Sequence, residues 1–249
     1  MGVSRAVAVS KKAIFGYGDT VGNGARVSLT NLVSNIGVVA TDTTGVGTAR
    51  ILLAASSYGV DKAIFGYGGG GASMTNKVSN TGVVATDTTG VGTARSRLAA
   101  ASYGVDKAIF GYGIPVSSDT ALTNLVSNIG VVATDTTGVG TPRRSLAASS
   151  YGTDKAIFGY GTNSSVNYSI TNKVSNTGVV ATDTTGVGTA RASLAAAGYG
   201  VGNAIFGYGA GLPGMVSLTN LVSNIGVVAT DTTGVGSARF ELAAASYGI

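Results

Sequence analysis

Five near-identical copies of one unit fill this sequence, and that repetition limits the fold more than any other feature. The string AIFGYG begins at Ala13, Ala63, Ala108, Ala156 and Ala204. TDTTGVG begins at Thr41, Thr86, Thr134, Thr182 and Thr230. Successive starts lie 50, 45, 48 and 48 residues apart for the first string, and 45, 48, 48 and 48 for the second. No shift in composition marks a second domain. The chain therefore reads as a single domain, 1–249, with units at 13–60, 61–105, 106–153, 154–201 and 202–249.

Each unit carries four short runs. In the unit from Arg95 to Gly140 they are Leu98-Ala-Ala-Ala-Ser-Tyr103, Ala108-Ile-Phe-Gly-Tyr112, Leu122-Thr-Asn-Leu-Val-Ser127 and Val131-Val-Ala-Thr134. Gly, Asn and Asp bound every run, and β-branched and aromatic residues fill most of them. Those are strand signals. The alanine-rich run is too short for a stable helix between glycine turns. Four strands in about 40–50 residues is the arithmetic of a propeller blade. The sequence predicts an all-β, five-bladed β-propeller of four-stranded antiparallel blades. A β-solenoid is the runner-up.

The layout resembles the kelch family of propellers. Thr141-Pro-Arg143 followed by Ala156-Ile-Phe-Gly-Tyr-Gly161 matches the Pro/Arg start and the apolar strand closed by glycines. Arg191 with Ala204 to Gly209 does the same. The resemblance covers all five units and implies a propeller. It departs from kelch in lacking the late Trp and in having GYG where two adjacent glycines are usual. The consensus also resembles repeat arrays in uncharacterised phage and environmental proteins, which implies no activity.

Strand alternation puts Ala108, Phe110 and Tyr112 on one face and Ile109 with Gly111 on the other. Phe15, Phe65, Phe110, Phe158 and Phe206 are then expected in the inter-blade core. The alanine-rich strand suits the crowded innermost position. Asp42, Asp87, Asp135, Asp183 and Asp231 are expected to bond their own turns, since one carboxylate per loop is a poor supply for a cation. Arg50, Arg95, Arg143, Arg191 and Arg239, eight residues after those aspartates, are expected to brace blade to blade, with an ion pair to the Asp as an option. Arg239 to Ile249 repeats the first strand without a following blade, and Ser4–Ser10 is a degenerate counterpart. The expectation is that Leu242–Tyr247 closes the ring as the inner strand of the first blade.

Composition narrows the chemistry. There is no Cys, no His and no Trp, and Glu241 is the single glutamate. Thiol nucleophiles, disulfides and Cys-ligated metals are excluded, and the commonest general base is missing. Most aspartates recur at turns, so the paired carboxylates of a glycosidase are not evident. The reading is non-enzymatic, with no cofactor and no metal. The net charge of +5 comes without a basic run, which argues against nucleic acid. No apolar stretch is long enough for a membrane helix.

The five units also serve as controls on one another. They differ mainly in the loop between the second and third strands, and in the two residues after each recurrent Arg. Both spots should emerge on one face, which is the usual place for binding in repeat proteins. The candidate ligand residues are Asp19, Arg26, Arg97, Asp119, Arg144, Asn163, Asn167, Tyr168 and Met215. The expected function is recognition of a glycan or a cell-surface receptor. The alternative is a structural repeat protein, such as a virion decoration, spacer or engineered propeller, without a ligand. A monomer is expected, with a strand-swapped oligomer as the alternative. The location is left open between virion-associated and extracellular.

Overall fold

The computed structural model describes residues 12–20, 25–69 and 71–247. The chain divides into two compact units, Met1–Ile51 and Leu52–Ile249. The first holds one hairpin, β1 (Ala13–Asp19) with β2 (Arg26–Val33), its register shifted between Gly16 and Gly18. The second holds four three-stranded antiparallel sheets. They are β3 (Ala54–Tyr58), β4 (Lys62–Gly66) and β5 (Thr75–Val78); β6 (Ala99–Tyr103), β7 (Lys107–Gly111) and β8 (Thr123–Val126); β9 (Ala147–Tyr151), β10 (Lys155–Gly159) and β11 (Thr171–Val174); and β12 (Ala195–Tyr199), β13 (Asn203–Gly207) and β14 (Thr219–Val222). The secondary structure of the described residues is entirely β. The five sheets repeat one antiparallel pattern.

Each three-stranded sheet is a meander with the AIFG strand in the middle. In the third sheet, Ala99 faces Gly111 and Tyr103 faces Lys107, while Ala108 faces Val126 and Gly111 faces Thr123. The fourth run does not become a full strand. It joins its neighbour by isolated bridges, Val126 to Val132 and Thr123 to Thr136. Asn124 is the reason. Its buried side-chain Nδ2 donates to Ala133 O at 3.0 Å and to Asp135 Oδ1 at 2.9 Å. The amide stands where ladder bonds would run, so the sheet has three strands rather than the expected four.

Within the second unit the sheets stack in chain order. Successive alanine-rich strands lie side by side, β3 on β6, β6 on β9, and β9 on β12. Small side chains allow this approach. Phe110, Phe158 and Phe206 are fully buried, and Phe65 is 5% exposed. Each such burial stabilises by roughly 2–3 kcal/mol. Gly66, Gly111 and Gly159 are each the seat for the next repeat's phenylalanine, Phe110, Phe158 and Phe206. A Cβ on Gly111 would stand 2.7 Å from Phe158 Cζ. Phe15 is the exception to the expected core set, being 57% exposed.

The tyrosine of each GYG does not continue the strand face. Tyr67, Tyr112 and Tyr160 take φ of 63, 65 and 63°, a left-handed conformation costly for an aromatic residue. Tyr112 therefore leaves the face of Phe110, contrary to simple alternation. It is nonetheless fully buried, with its ring 5.2 Å from that of Phe158 in the next repeat. Its hydroxyl donates to Val139 O at 3.1 Å. Burial pushes the Tyr67, Tyr112 and Tyr160 hydroxyls up to about 12, which keeps them neutral donors.

Two linked positions alternate between repeats, Leu32/Ile36, Leu125/Ile129 and Leu221/Ile225 against Lys77/Thr81 and Lys173/Thr177, and the alternation has a structural context. A Cβ on Gly130 would lie 2.7 Å from Lys77 Cδ, and one on Gly178 would lie 2.9 Å from Leu125 Cδ2. Lys77 and Leu125, one of each kind, thus lie over the turn glycine of a following repeat of the opposite kind.

The run Leu242–Tyr247 forms no strand. It follows β12 in the stack through Ser246 Oγ, which donates to Gly198 O at 2.8 Å. The counterpart at Ser4–Ser10 lies outside the described residues.

Candidate functional site

The link between repeats sets where the variable residues go. Arg143 is fully buried. Its Nε donates to Tyr160 O at 2.7 Å, Nη1 to Thr141 O at 3.1 Å, and Nη2 to Asn172 Oδ1 at 2.7 Å. Its guanidinium lies 4.3 Å from the centroid of Tyr112, which follows β7 of the preceding sheet. One cation thereby joins two sheets, as expected of a brace. Arg95 and Arg191 repeat the pattern.

The recurrent aspartates complete the brace. Asp135, Asp183 and Asp231 accept from a threonine 42 residues earlier, across the link to the preceding sheet, instead of bonding their own turns as expected. Asp183 Oδ2 accepts from Thr141 N at 3.0 Å and Thr141 Oγ1 at 2.7 Å, and Oδ1 accepts from Asn172 Nδ2 at 2.9 Å. The nearby arginine is Arg143 at 4.0 Å, which precedes Asp183, rather than the Arg191 eight residues after it. Partial burial works against ionisation of Asp135, Asp183 and Asp231, but the threonine and asparagine bonds, with the arginine, outweigh it and hold these carboxyls below the usual range. A lowered folded value means that this stability is present above the unfolded pKa and lost as the pH falls through the folded one. Asp183→Asn is therefore expected to lower the urea midpoint at pH 7 and to show a smaller deficit in acid. An equal deficit at both pH values would contradict this assignment.

After each brace the chain emerges at the two variable residues. The first of the pair bridges to the variable loop of its own sheet: Ser96 with Ile114, Arg144 with Thr162, and Ala192 with Ala210. The two variable spots are thus neighbours, as their sequence positions imply. The loops also fold on themselves, through the bridges Thr162 to Asn167 and Ala210 to Met215.

The second residue of each pair behaves differently. Leu52, Arg97, Ser145, Ser193 and Glu241 all take left-handed φ, between 52 and 57°. Their backbones form a row across successive repeats. Arg97 N donates to Leu52 O at 3.0 Å, Ser145 N to Arg97 O at 2.9 Å, Ser193 N to Ser145 O at 2.8 Å, and Glu241 N to Ser193 O at 2.9 Å. Sequence pattern offers no signal for this row beyond its variability.

The nine candidate residues separate into groups. Arg144 and Asp119 meet each other, with Nη1 2.9 Å from Oδ1 and 3.0 Å from Oδ2, and the Asp119 side chain is only 6% exposed. Asn163 Nδ2 donates to the Tyr168 hydroxyl at 2.7 Å, while Asn163 Oδ1 accepts from Ser165 N and Val166 N. Asn167 Nδ2 donates to Ala210 O at 3.2 Å, joining the loops of two repeats. Arg97 and Met215 are exposed in the second unit, and Asp19 and Arg26 are exposed in the first. Exposed apolar side chains stand among the polar ones, with Val116 at 96% and Leu212 at 81%.

Other chemistry is sparse. The described residues contain no group of three or more metal-ligating side chains. No helix among them is long and apolar enough to cross a membrane. No protein-family model matches the chain, and no curated protein matches it.

Proposed function

We propose that this chain is a non-enzymatic recognition module, whose variable loops and adjoining pairs bind a glycan or cell-surface receptor, as on a virion or secreted adhesin. One observation carries the reading. The two places where repeats differ are joined by backbone bridges, while the residues that hold repeats together hardly change. Exposed loops on a rigid scaffold are where binding residues concentrate. The test is a glycan array probed with the intact protein and with a variant whose loops 114–121 and 162–168 are replaced by the short 69–72 loop. Specific signal that disappears with the loops supports recognition. Signal indifferent to the loops, or none, moves the assignment to a structural role. The closed Arg144–Asp119 and Asn163–Tyr168 pairs favour that second reading, because they satisfy loop polar groups without a ligand.

The fold reading belongs with this proposal: five kelch-like blades closed into a ring, with Leu242–Tyr247 as the inner strand of the blade that holds β1 and β2. Its support is a pair of unmatched halves. In the first unit, Phe15 is exposed and a Cβ on Gly37 would meet nothing within 4 Å. In the second, Gly207 seats no aromatic ring, and Tyr199 and Leu221 are 42% and 41% exposed. Arg239 stacks 3.9 Å from the centroid of Tyr208 yet is exposed, unlike Arg95, Arg143 and Arg191. Each half supplies what an interior interface contains. Deleting residues 240–249 is expected to lower the Tm by several degrees in the monomer. An unchanged Tm would refute the closure.

A further inference from the structure

We propose that the row Leu52, Arg97, Ser145, Ser193 and Glu241 is a binding site for a carboxylated saccharide. Arg97 takes the carboxylate, and Ser145, Ser193 and Glu241 take sugar hydroxyls. The inference rests on the recognition reading and gives that reading a site and a ligand class.

The first argument is conformational. All five positions are left-handed, within 5° of one another in φ. Glycine adopts that conformation without the steric cost that any Cβ brings. The chain contains 40 glycines and places none of them here. It retains four different side-chain types on one unvarying, strained backbone. A position kept for its backbone alone would favour glycine. Strain held at a defined row is a reason to look for function there.

The second argument is chemical. Successive residues of the row are joined by backbone hydrogen bonds, so side chains step along it at about 4.8 Å, the spacing of hydrogen-bonded strands. Arg97 and Glu241 are exposed, and the two serines between them are half-buried. The neighbouring Arg144 is already held by Asp119, so Arg97 carries the positive charge of the row. A guanidinium binds a carboxylate through two parallel bonds. Serine donates or accepts, and the Glu241 carboxylate accepts from hydroxyl groups. One cation, one anion and two hydroxyls suit a ligand with a single negative charge and many hydroxyls. A polyphosphate would face repulsion from Glu241.

The test is an array of matched carboxylated and neutral saccharides, probed with the wild type, Arg97→Gln, Glu241→Gln and the double variant Ser145→Gly with Ser193→Gly. The wild type is expected to prefer the carboxylated member of each pair. Arg97→Gln is expected to bind about 10- to 100-fold more weakly, the scale of one lost charge-assisted contact. The serine double variant is diagnostic: binding falls while the Tm stays level or rises, because glycine relieves the left-handed backbone. Binding lost only on loop replacement, and indifferent to these variants, overturns this site and leaves the recognition reading intact. Equal binding of neutral partners overturns the ligand class. A double variant that loses Tm and binding together makes the row structural and overturns the site. No binding by the wild type overturns both proposals.

Discussion

Arg143→Ala is expected to lower the Tm by roughly 6–20 °C, from a loss of about 3–5 kcal/mol for breaking a buried charged network. The substitution removes the donors to Tyr160 O, Thr141 O and Asn172 Oδ1, and the cation over Tyr112. It also leaves a void in a site that is fully buried. Arg143→Lys should recover little, because an ammonium lacks the planar fork that reaches three acceptors at once. Differential scanning calorimetry at neutral pH reads both variants. A Tm within about 2 °C of wild type for Arg143→Ala would mean the brace is dispensable, since ~1 kcal/mol moves a chain of this size by only 2–4 °C.

Gly111→Ala is expected to cost about 1–3 kcal/mol, although alanine is the better strand residue by propensity alone. The added methyl would meet three atoms of the Phe158 ring at 2.7, 3.0 and 3.2 Å. A Phe158→Leu substitution should be less damaging in the Gly111→Ala background than alone, a coupling that a double-mutant cycle measures. A Gly111→Ala cost that Phe158→Leu leaves unchanged would show that strand geometry, rather than the neighbouring ring, sets it.

Much of the scaffold is legible in the residues themselves. The 45–50-residue period, the glycine-bounded runs and the burial of Phe110 and Phe158 follow from local pattern. What escapes is whatever depends on a partner in another repeat. Asp183 looks like a turn former, and its bonds go to Thr141, 42 residues earlier. Val131 to Thr134 reads as a strand, but Asn124 intercepts one of its carbonyls. The amide of Asn124 within the run Leu122–Ser127 was the available warning. Tyr112 looks like the next strand residue, and its left-handed φ is set by the arginine above its ring and the carbonyl beyond it.

The candidate site divides the same way. Variation among copies locates the loops and the pair after each arginine, and the bridges bring them together. Sequence could not say that Asp119 and Arg144 satisfy each other, since they are 25 residues apart in unrelated segments. Nor could it separate the two members of each pair. Ser96 and Arg97 look equally free in the sequence. One bridges to a loop and the other enters the left-handed row.

The placement of the brace has a consequence for how such a chain can grow. Every interface within the second unit is built from the same few side chains, and each repeat carries both halves of it. A stretch of DNA encoding one period, copied in tandem, would therefore yield a repeat that already fits on both sides. Stability in such arrays is close to a sum over nearest neighbours. Most loop residues take little part in that sum and can diverge after copying, the Asn167–Ala210 bond between adjacent loops being an exception. Lys77 and Leu125 qualify this freedom, because they sit over Gly130 and Gly178, which lie beside unlike residues. Copying two periods together preserves that match and copying one does not, so the heritable module is the pair.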